Sequence, residues 1–316
     1  MKLDELIKRY QDGKIDKKVF WELSRERLLP MLEIQKILCM GGVITLNEKD
    51  IVLEKDGIKL LFDFSLPICR AEAMLTESEQ EDWDFLKNFI TNSSTVLDIG
   101  ANVGVFSITF KRLFHSATIY SFEPIKDTFE FMKRNIALNR LDGELNVFNV
   151  GISDENKLMT FYVPPENEAA SLRPVDDEFY LREGNVGQQE IKTSLKEIQC
   201  MVVRLDDFAK EHDIDKCDFI KIDVEGAELF ALQGGMGFIK HTKPVIYCEM
   251  LRKHAKRFGY HPNDIITMMR TIGYTCYEMA GGKLKVFETM DDKTEQTNFF
   301  FITDEKRQVL KNELFC

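Results

Sequence analysis

Residues 96–104 read Val-Leu-Asp-Ile-Gly-Ala-Asn-Val-Gly, and this segment constrains the fold more than any other part of the chain. A short apolar run leads into Gly100 and Gly104, and apolar residues at helical spacing follow. This order predicts a buried strand that ends in a tight turn and opens a helix. Glycines let a backbone approach a ligand, and a helix N-terminus offers N–H groups to carboxylates or phosphates. We therefore expect a site for an anionic or zwitterionic ligand at this turn.

The turn does not match the common phosphate-binding motifs. A dinucleotide fingerprint needs glycine two positions after Gly100, where this chain has Asn102. No G-x-x-x-x-G-K-[ST] segment occurs in the sequence, so a P-loop is excluded as well. The remaining pattern is the D-x-G-x-x-x-G turn, which is typical of enzymes that bind S-adenosylmethionine (SAM).

A second predicted strand, residues 117–122, ends at Glu123. A carboxylate at the tip of the strand beside the glycine turn is placed to accept both hydroxyls of a ribose. Each charge-assisted hydrogen bond of this kind contributes roughly 1.5–3 kcal/mol. The combination of turn and carboxylate favours a nucleoside-like cofactor.

These and other segments together resemble the FkbM family of SAM-dependent methyltransferases, from about residue 80 to the end of the chain. The first eighty residues show no specific resemblance. The matching segments are Leu97–Gly104, Phe122–Pro124, Asn149–Asp154, Arg204–Phe208 and Lys221–Glu228.

The resemblance implies a Rossmann-like class I methyltransferase fold, with a mostly parallel seven-stranded sheet covered by helices on both faces. Alternating strand and helix patterns after residue 90 agree with such a sheet. We expect residues 79–316 to form this domain. Residues 1–78 are then an N-terminal appendage of amphipathic helices, interrupted near Gly13 and Pro30, and a β-hairpin that turns at Asp56-Gly57.

The resemblance also implies roles for individual residues around SAM. Asp98, the turn Gly100-Ala101-Asn102 and Gly104 would surround its methionyl part. Glu123 would hold the ribose, and Gly151 with Ile152 would lie along the adenine. Asp223 and Glu225 would face the transferred methyl group and the acceptor, and Asp223 would also contact the cofactor.

The proton of an acceptor hydroxyl must leave during transfer, which calls for a nearby base or a metal ion. Asp223, Glu225 and Glu249 are the candidate catalytic residues, because each follows a predicted strand at one edge of the sheet. They could raise one another's pKa to make a base, or Asp223 and Glu249 could hold Mg²⁺ through oxygen ligands. Both alternatives stay open. His254 and His261 belong to no recognised motif and are expected to be surface or structural residues.

The composition limits the classes of molecule that this protein is expected to bind. The formal charge is −11, from 42 basic and 53 acidic side chains, which argues against nucleic acid as the main partner. A small-molecule or glycan acceptor fits better. The seven cysteines show no C-x-x-C pair or zinc spacing and are expected to be reduced, so we expect a cytoplasmic protein. We see neither a signal peptide nor a transmembrane segment in the sequence.

Two segments leave their roles open. The N-terminal helices could pack against a partner subunit in a homodimer, against the catalytic domain, or at the acceptor's entrance. Residues 164–200 are rich in charges and glycine and are expected to form a lid over the acceptor, with simple disorder as the alternative.

The family resemblance implies O-methylation of a hydroxyl on a sugar, a glycan precursor or a related small metabolite. An aminopropyl transfer enzyme on the same fold is one alternative. A non-catalytic scaffold that retains SAM is another.

Overall fold

The computed structural model describes residues 3–28, 43–47, 50–61, 77–163 and 196–316. The N-terminal part contains two helices, α1 (Leu3–Gln11) and α2 (Lys17–Leu28). A small antiparallel sheet follows, with strands β1 (Val43–Asn47), β2 (Asp50–Lys55) and β3 (Ile58–Leu61). The predicted break near Gly13 and the predicted hairpin are confirmed. The expected break at Pro30 lies outside the described residues.

The hairpin turns at Asp56 and Gly57, which both have positive φ angles of 52° and 77°. A two-residue turn with two left-handed residues matches the right-handed twist of paired strands, and for this reason Asp-Gly is favoured there. The hairpin is then attached to the rest of the molecule by buried amides. Leu61 N donates to Asn135 Oδ1 at 2.8 Å, and Lys59 N donates to Asn139 Oδ1 at 3.0 Å.

The remaining described residues build a large α/β unit. In chain order its elements are α3 (Glu77–Leu86), β4 (Thr95–Ile99), α4 (Val105–Leu113), β5 (Thr118–Phe122), α5 (Lys126–Leu138), β6 (Asn146–Phe148), β7 (Gly151–Ile152), β8 (Lys157–Val163), β9 (Lys196–Val203), α6 (Leu205–Glu211), β10 (Phe219–Ile222), α7 (Glu228–Gly234), α8 (Met236–Thr242), β11 (Val245–Glu249), α9 (Arg252–Arg257), α10 (Pro262–Arg270), β12 (Tyr274–Ala280), β13 (Lys283–Val286), β14 (Asn298–Thr303), α11 (Asp304–Val309) and a short 3₁₀ turn (Asn312–Leu314).

The main sheet has the strand order β13-β12-β14-β11-β10-β4-β5-β6. Strands β6, β5, β4, β10 and β11 run parallel. Strand β14 pairs antiparallel with both β11 and β12, and β13 pairs antiparallel with β12. The expected Rossmann-like methyltransferase fold with a mostly parallel sheet is confirmed. Within the described residues the sheet has eight strands rather than seven, because Lys283–Val286 adds an edge strand by pairing with β12.

Both faces of the sheet are covered, and the central strands are apolar on both sides. Phe219, Ile220, Val245 and Ile246 are all fully buried, as expected for strands enclosed by helices. No described helix is long and apolar enough to cross a membrane.

The structure departs from the sequence patterns in two places. The sequence pattern of residues 227–239 predicts a single helix, but the structure has two helices there, α7 and α8, which meet at Gly235. A Cβ on Gly234 would lie 1.8 Å from the carbonyl oxygen of Ser153, so the chain packs there against a neighbouring backbone. A second sheet, β7-β9-β8, was not predicted, and its strand β9 takes up the last five residues of the expected lid. Residues 164–195 of that lid lie outside the described residues.

Candidate active site

Four parallel strands end at one level and bring the predicted site residues together. Ile222 is aligned with Ile99 and with Cys248, and Ile99 is aligned with Phe122. The residues that follow these four strand positions therefore emerge side by side. They are Gly100, Glu123, Asp223 and Glu249. Ligands of open α/β sheets bind at such carboxyl edges.

The glycine turn after β4 is held in an unusual backbone conformation. Gly100, Asn102 and Gly104 have φ angles of 83°, 51° and 88°. Its amides are used inside the protein: Gly100 N and Ala101 N both donate to the Phe122 carbonyl, at 3.1 and 2.9 Å. Gly104 N donates to the Ala101 carbonyl at 2.8 Å. The first two amides fix the turn onto β5 and the third closes the turn, so these three are used within the protein.

The glycines of this turn make room for protein atoms. A Cβ on Gly100 would lie 1.8 Å from the backbone oxygen of Asp223, and a Cβ on Gly104 would lie 2.8 Å from Met132 Cγ. We expected the absence of a Cβ at these glycines to make room for a ligand, but the space is filled by protein atoms. Gly100 instead allows the turn to rest directly on the segment after β10.

Asp98 lies below the turn and is completely buried. Ser107 Oγ donates to its Oδ2 at 2.6 Å, and Ser107 in turn contacts Ser121 Oγ at 2.7 Å. Burial raises the pKa of the Asp98 carboxyl, and the charge of Lys221 opposes that rise. Asp98 thus ties α4 to the strands beneath the turn.

Glu123 follows β5 and is only 6 % exposed. Its Oε2 accepts a hydrogen bond of 3.1 Å from Asn102 N, and its Oε1 accepts one of 2.8 Å from Ile125 N. Burial raises the pKa of Glu123 from 4.5 to about 7, although these two amides lower it. Each carboxylate oxygen has a further lone pair, so the group is oriented and can still accept hydrogen bonds from a diol.

Gly151 and Ile152 lie beyond β6 and form the short strand β7. Both are buried, and they pair with Val202 and Val203 of β9. A Cβ on Gly151 would lie 3.1 Å from Val202 Cγ1 and 3.4 Å from Pro124 Cβ. This packing joins the segment after Glu123 to the second sheet.

Lys221 was missed by the sequence analysis, although a lysine inside the apolar strand Phe219–Ile222 was a visible signal. It is aligned with Asp98 on β4, and its side chain is 11 % exposed. Its Nζ lies 3.8 Å from Asp98 Oδ1 and 3.2 Å from Asp223 Oδ2. Lys221 therefore links the carboxylate below the turn to the carboxylate at the edge.

Glu249 ends β11 and is partly buried at the same edge. Burial, the charges of Asp223, Glu225 and Glu228, and a hydrogen bond with Asp223 together raise the pKa of Glu249 from 4.5 to about 10. The expected convergence of Asp223, Glu225 and Glu249 is therefore present as an electrostatic interaction. With a pKa of about 10, Glu249 is protonated near neutral pH.

Glu225 contacts a histidine that sequence reasoning had set aside. His254 of α9 is 6 % exposed, and its Nδ1 lies 3.0 Å from Glu225 Oε2. No local pattern could have predicted this pair, because it joins the end of β10 to a helix after β11. His261, in contrast, caps α10 by accepting a hydrogen bond from Asn263 N, and so has the expected structural role.

The described part of the chain contains no group of three or more His, Cys, Asp or Glu side chains placed to hold a metal ion. The expected Mg²⁺ alternative at Asp223 and Glu249 thus has no support from the donor set. The five cysteines in the described ranges, Cys200, Cys217, Cys248, Cys276 and Cys316, are free thiols.

Comparison with known proteins identifies the domain. The sequence model of the methyltransferase FkbM domain matches residues 98–276, which is more than half of the chain. This range contains the glycine turn and the residues Glu123, Asp223, Glu225 and Glu249.

Three relatives show similar identity, each over slightly less than half of the chain. Methyltransferase 1 of Beauveria bassiana is 30% identical over 146 residues, which are 45% of this chain and 59% of that protein. The 31-O-demethyl-FK506 methyltransferase FkbM of Streptomyces tacrolimicus is 30% identical, covering 44% of this chain and 58% of its own. The 2-O-methyltransferase NoeI of Sinorhizobium fredii is 30% identical, covering 49% and 62%. The chain thus spans about six-tenths of the length of these relatives, and it belongs to the FkbM family of methyltransferase domains.

Proposed function

We propose that this protein transfers a methyl group from SAM to a hydroxyl of a sugar, a glycan precursor or a related small metabolite. The observation that carries the proposal is the hydrogen bond from Asn102 N to Glu123 Oε2, because it fixes the diol-binding carboxylate onto the glycine turn. The two parts of a nucleoside site are thereby held as one unit at the carboxyl edge of the sheet.

The charges of the residues at this edge suit SAM. SAM, when bound, supplies an activated methyl group on a positively charged sulfonium. The edge carries the carboxyl groups of Asp98, Glu123 and Asp223, and the Lys221 ammonium lies near Asp98 and Asp223. Such an edge favours a ligand with positive charge near its reacting atom.

We assign cofactor contacts to the segments that converge there. The methionyl part would be enclosed by Asp98, Gly100, Ala101, Asn102 and Gly104. Because Asp98 is buried, it would act indirectly, by holding the turn in place. Glu123 would accept the ribose hydroxyls. Gly151 and Ile152 would border the adenine, since they follow the strand next to Glu123 in the sheet.

The acceptor would lie over Asp223, Glu225 and Glu249. Together they would orient the hydroxyl in line with the methyl group, and one of them would receive its proton. Holding two reactants in such an arrangement can contribute about 7–11 kcal/mol to lowering the barrier. Transfer to oxygen is favoured by two relatives whose names specify O-methylation.

A binding and a transfer experiment test the proposal together. Calorimetry should detect SAM and S-adenosylhomocysteine binding to the purified protein. SAM with a tritiated methyl group is then incubated with a panel of p-nitrophenyl glycosides of neutral and acidic sugars, and products are examined for the added mass of one CH₂ group. The absence of SAM binding would refute the cofactor assignment. Binding without transfer to any glycoside would refute the proposed acceptor class.

A further inference from the structure

The loop between β10 and α7 is held in a strained conformation at one residue. Glu225 has a φ angle of 55°, in the left-handed region that a residue with a side chain rarely adopts. Strain of this kind persists only where the surroundings enforce it, and it occurs often at functional sites. The strained loop around Glu225 is therefore a candidate functional element.

Three neighbours enforce this conformation. Gly226 N donates to Glu228 Oε1 at 2.9 Å, and Tyr260 Oη lies 3.0 Å from the Gly226 carbonyl. Tyr260 also reaches Glu228 Oε2 at 2.9 Å. A Cβ on Gly226 would lie 2.6 Å from Phe258 Cε2, so only glycine fits beneath the loop. These contacts determine the direction in which the Glu225 side chain leaves the backbone.

Glu225 lies in front of His254. The Glu225 side chain is 27% exposed, the His254 side chain is 8% exposed, and the two approach to 3.0 Å. The Glu225 side chain is therefore partly exposed, while its Oε2, which the imidazole contacts, is buried.

The other carboxylates at the edge are less suited to receive a proton. The pKa of Glu249 is raised to about 10, mainly by burial, so this group already holds its proton near neutral pH. Asp223 Oδ2 lies 3.2 Å from Lys221 Nζ, so this carboxylate is already engaged in an ion pair. Glu225 is the remaining candidate of the three.

We propose that Glu225 accepts the proton of the acceptor hydroxyl, and that His254 is a positioning residue that holds the Glu225 carboxylate toward the acceptor. This inference rests on the proposed function. The acceptor oxygen forms a bond to the methyl carbon as the carbon–sulfur bond breaks, and the electron pair of that bond stays on sulfur. The hydroxyl proton moves to Glu225, and the resulting carboxylic acid then releases it to water.

Variants of the pair separate a catalytic effect from a structural one. With the glycoside that accepts the methyl group in the preceding experiment, Glu225→Gln should lower kcat at least about 100-fold, since general bases contribute roughly 10²–10⁴-fold. His254→Leu should lower kcat about tenfold or more. His254→Asn should restore most of that loss, because the asparagine amide can take the place of Nδ1. The acceptor KM and the SAM dissociation constant should change little in all three variants.

His261→Asn serves as the matched histidine control and should behave like the wild type. If Glu225→Gln turns over at the wild-type rate, or if His254→Asn is as impaired as His254→Leu, the assignment is wrong while the proposed function stands. If the wild type binds SAM but transfers methyl to no glycoside, the proposed function itself is wrong.

A second measurement is made on the wild-type protein, and a variant is needed only to assign one resonance. The chain has five histidines, so ¹⁵N-histidine NMR of the wild-type protein can resolve each imidazole. His254, identified by its loss in His254→Asn, should carry its proton on Nδ1 at neutral pH. A His254 resonance with an unprotonated Nδ1 would overturn the positioning role.

Discussion

Asn102 and Glu123 are joined by a hydrogen bond of 3.1 Å that connects the turn after one strand to the carboxylate after its neighbour. Because the Asn102 amide occupies one side of the carboxylate and the Ile125 amide another, Glu123 has one orientation. Because Glu123 is buried, its ionised form is disfavoured when no ligand is bound. SAM binding therefore depends on the protonation state of Glu123.

Replacing Glu123 by glutamine should weaken SAM binding about ten- to a hundredfold. The variant loses a charge-assisted hydrogen bond to the ribose, worth roughly 1.5–3 kcal/mol, and each 1.4 kcal/mol is about a factor of ten in affinity. Calorimetric titration measures the effect. Glu130→Gln, an exposed change on α5, is the control and should bind SAM like the wild type. Equal affinity of Glu123→Gln and wild type would contradict the ribose assignment.

SAM affinity should fall as the pH drops below about 7. Burial raises the pKa of Glu123 to about 7 in the free protein, and the diol is bound by the ionised form. The carboxylate must therefore lose a proton before binding below this pH, which costs about tenfold in affinity per pH unit. Titrations between pH 5.5 and 8.5 measure the slope. The slope should disappear in Glu123→Gln, and a wild-type affinity that is constant over this range would be inconsistent with the prediction.

Glu249→Gln should stabilise the protein near pH 8. The pKa of Glu249 is raised in the folded state, so its contribution to stability is fully present below its unfolded value of 4.5 and is lost as the pH rises toward about 10. Glutamine has no such dependence. We expect a gain of about 1–3 kcal/mol in the free energy of unfolding at pH 8, given about 1.4 kcal/mol per pKa unit, and no gain near pH 4. Urea denaturation at both pH values measures the difference, and an equal effect at the two would count against it.

Gly100→Ala should destabilise the fold far more than Gly143→Ala. Both glycines have positive φ angles, 83° and 74°, so both substitutions carry the same kind of backbone strain, of order 1–2 kcal/mol. A Cβ at position 100 would in addition lie 1.8 Å from the Asp223 carbonyl oxygen, whereas nothing lies within 4 Å of one at position 143. We expect a difference of at least about 2 kcal/mol in the free energy of unfolding. Similar stabilities of the two variants would show that the turn can move away from Asp223.

Much of the fold was predictable because its signals are local. The glycine turn, the Asp56-Gly57 hairpin and the apolar central strands all depend on residues close together in the chain. The sheet β7-β9-β8 was not predictable in the same way. Its strand β8 pairs with β9 across an intervening segment of more than thirty residues. Apolar Leu158 and Met201 lie at exposed positions of this pair, so the polar and apolar residues alternate poorly.

The same distinction between local signals and contacts of distant segments applies to the candidate site. Its motifs placed Gly100, Glu123, Asp223 and Glu249 at strand ends from sequence alone, because parallel strands present their carboxyl ends at one edge. What these groups do depends on contacts between distant segments, such as Lys221 with Asp98 and His254 with Glu225. The raised pKa values of Glu123 and Glu249 likewise follow from burial and from neighbouring charges, which exist only after the strands have assembled. The sequence by itself determined the fold class and the edge where the site lies, whereas the tertiary structure decided which carboxyl groups are ionised there and which way they point.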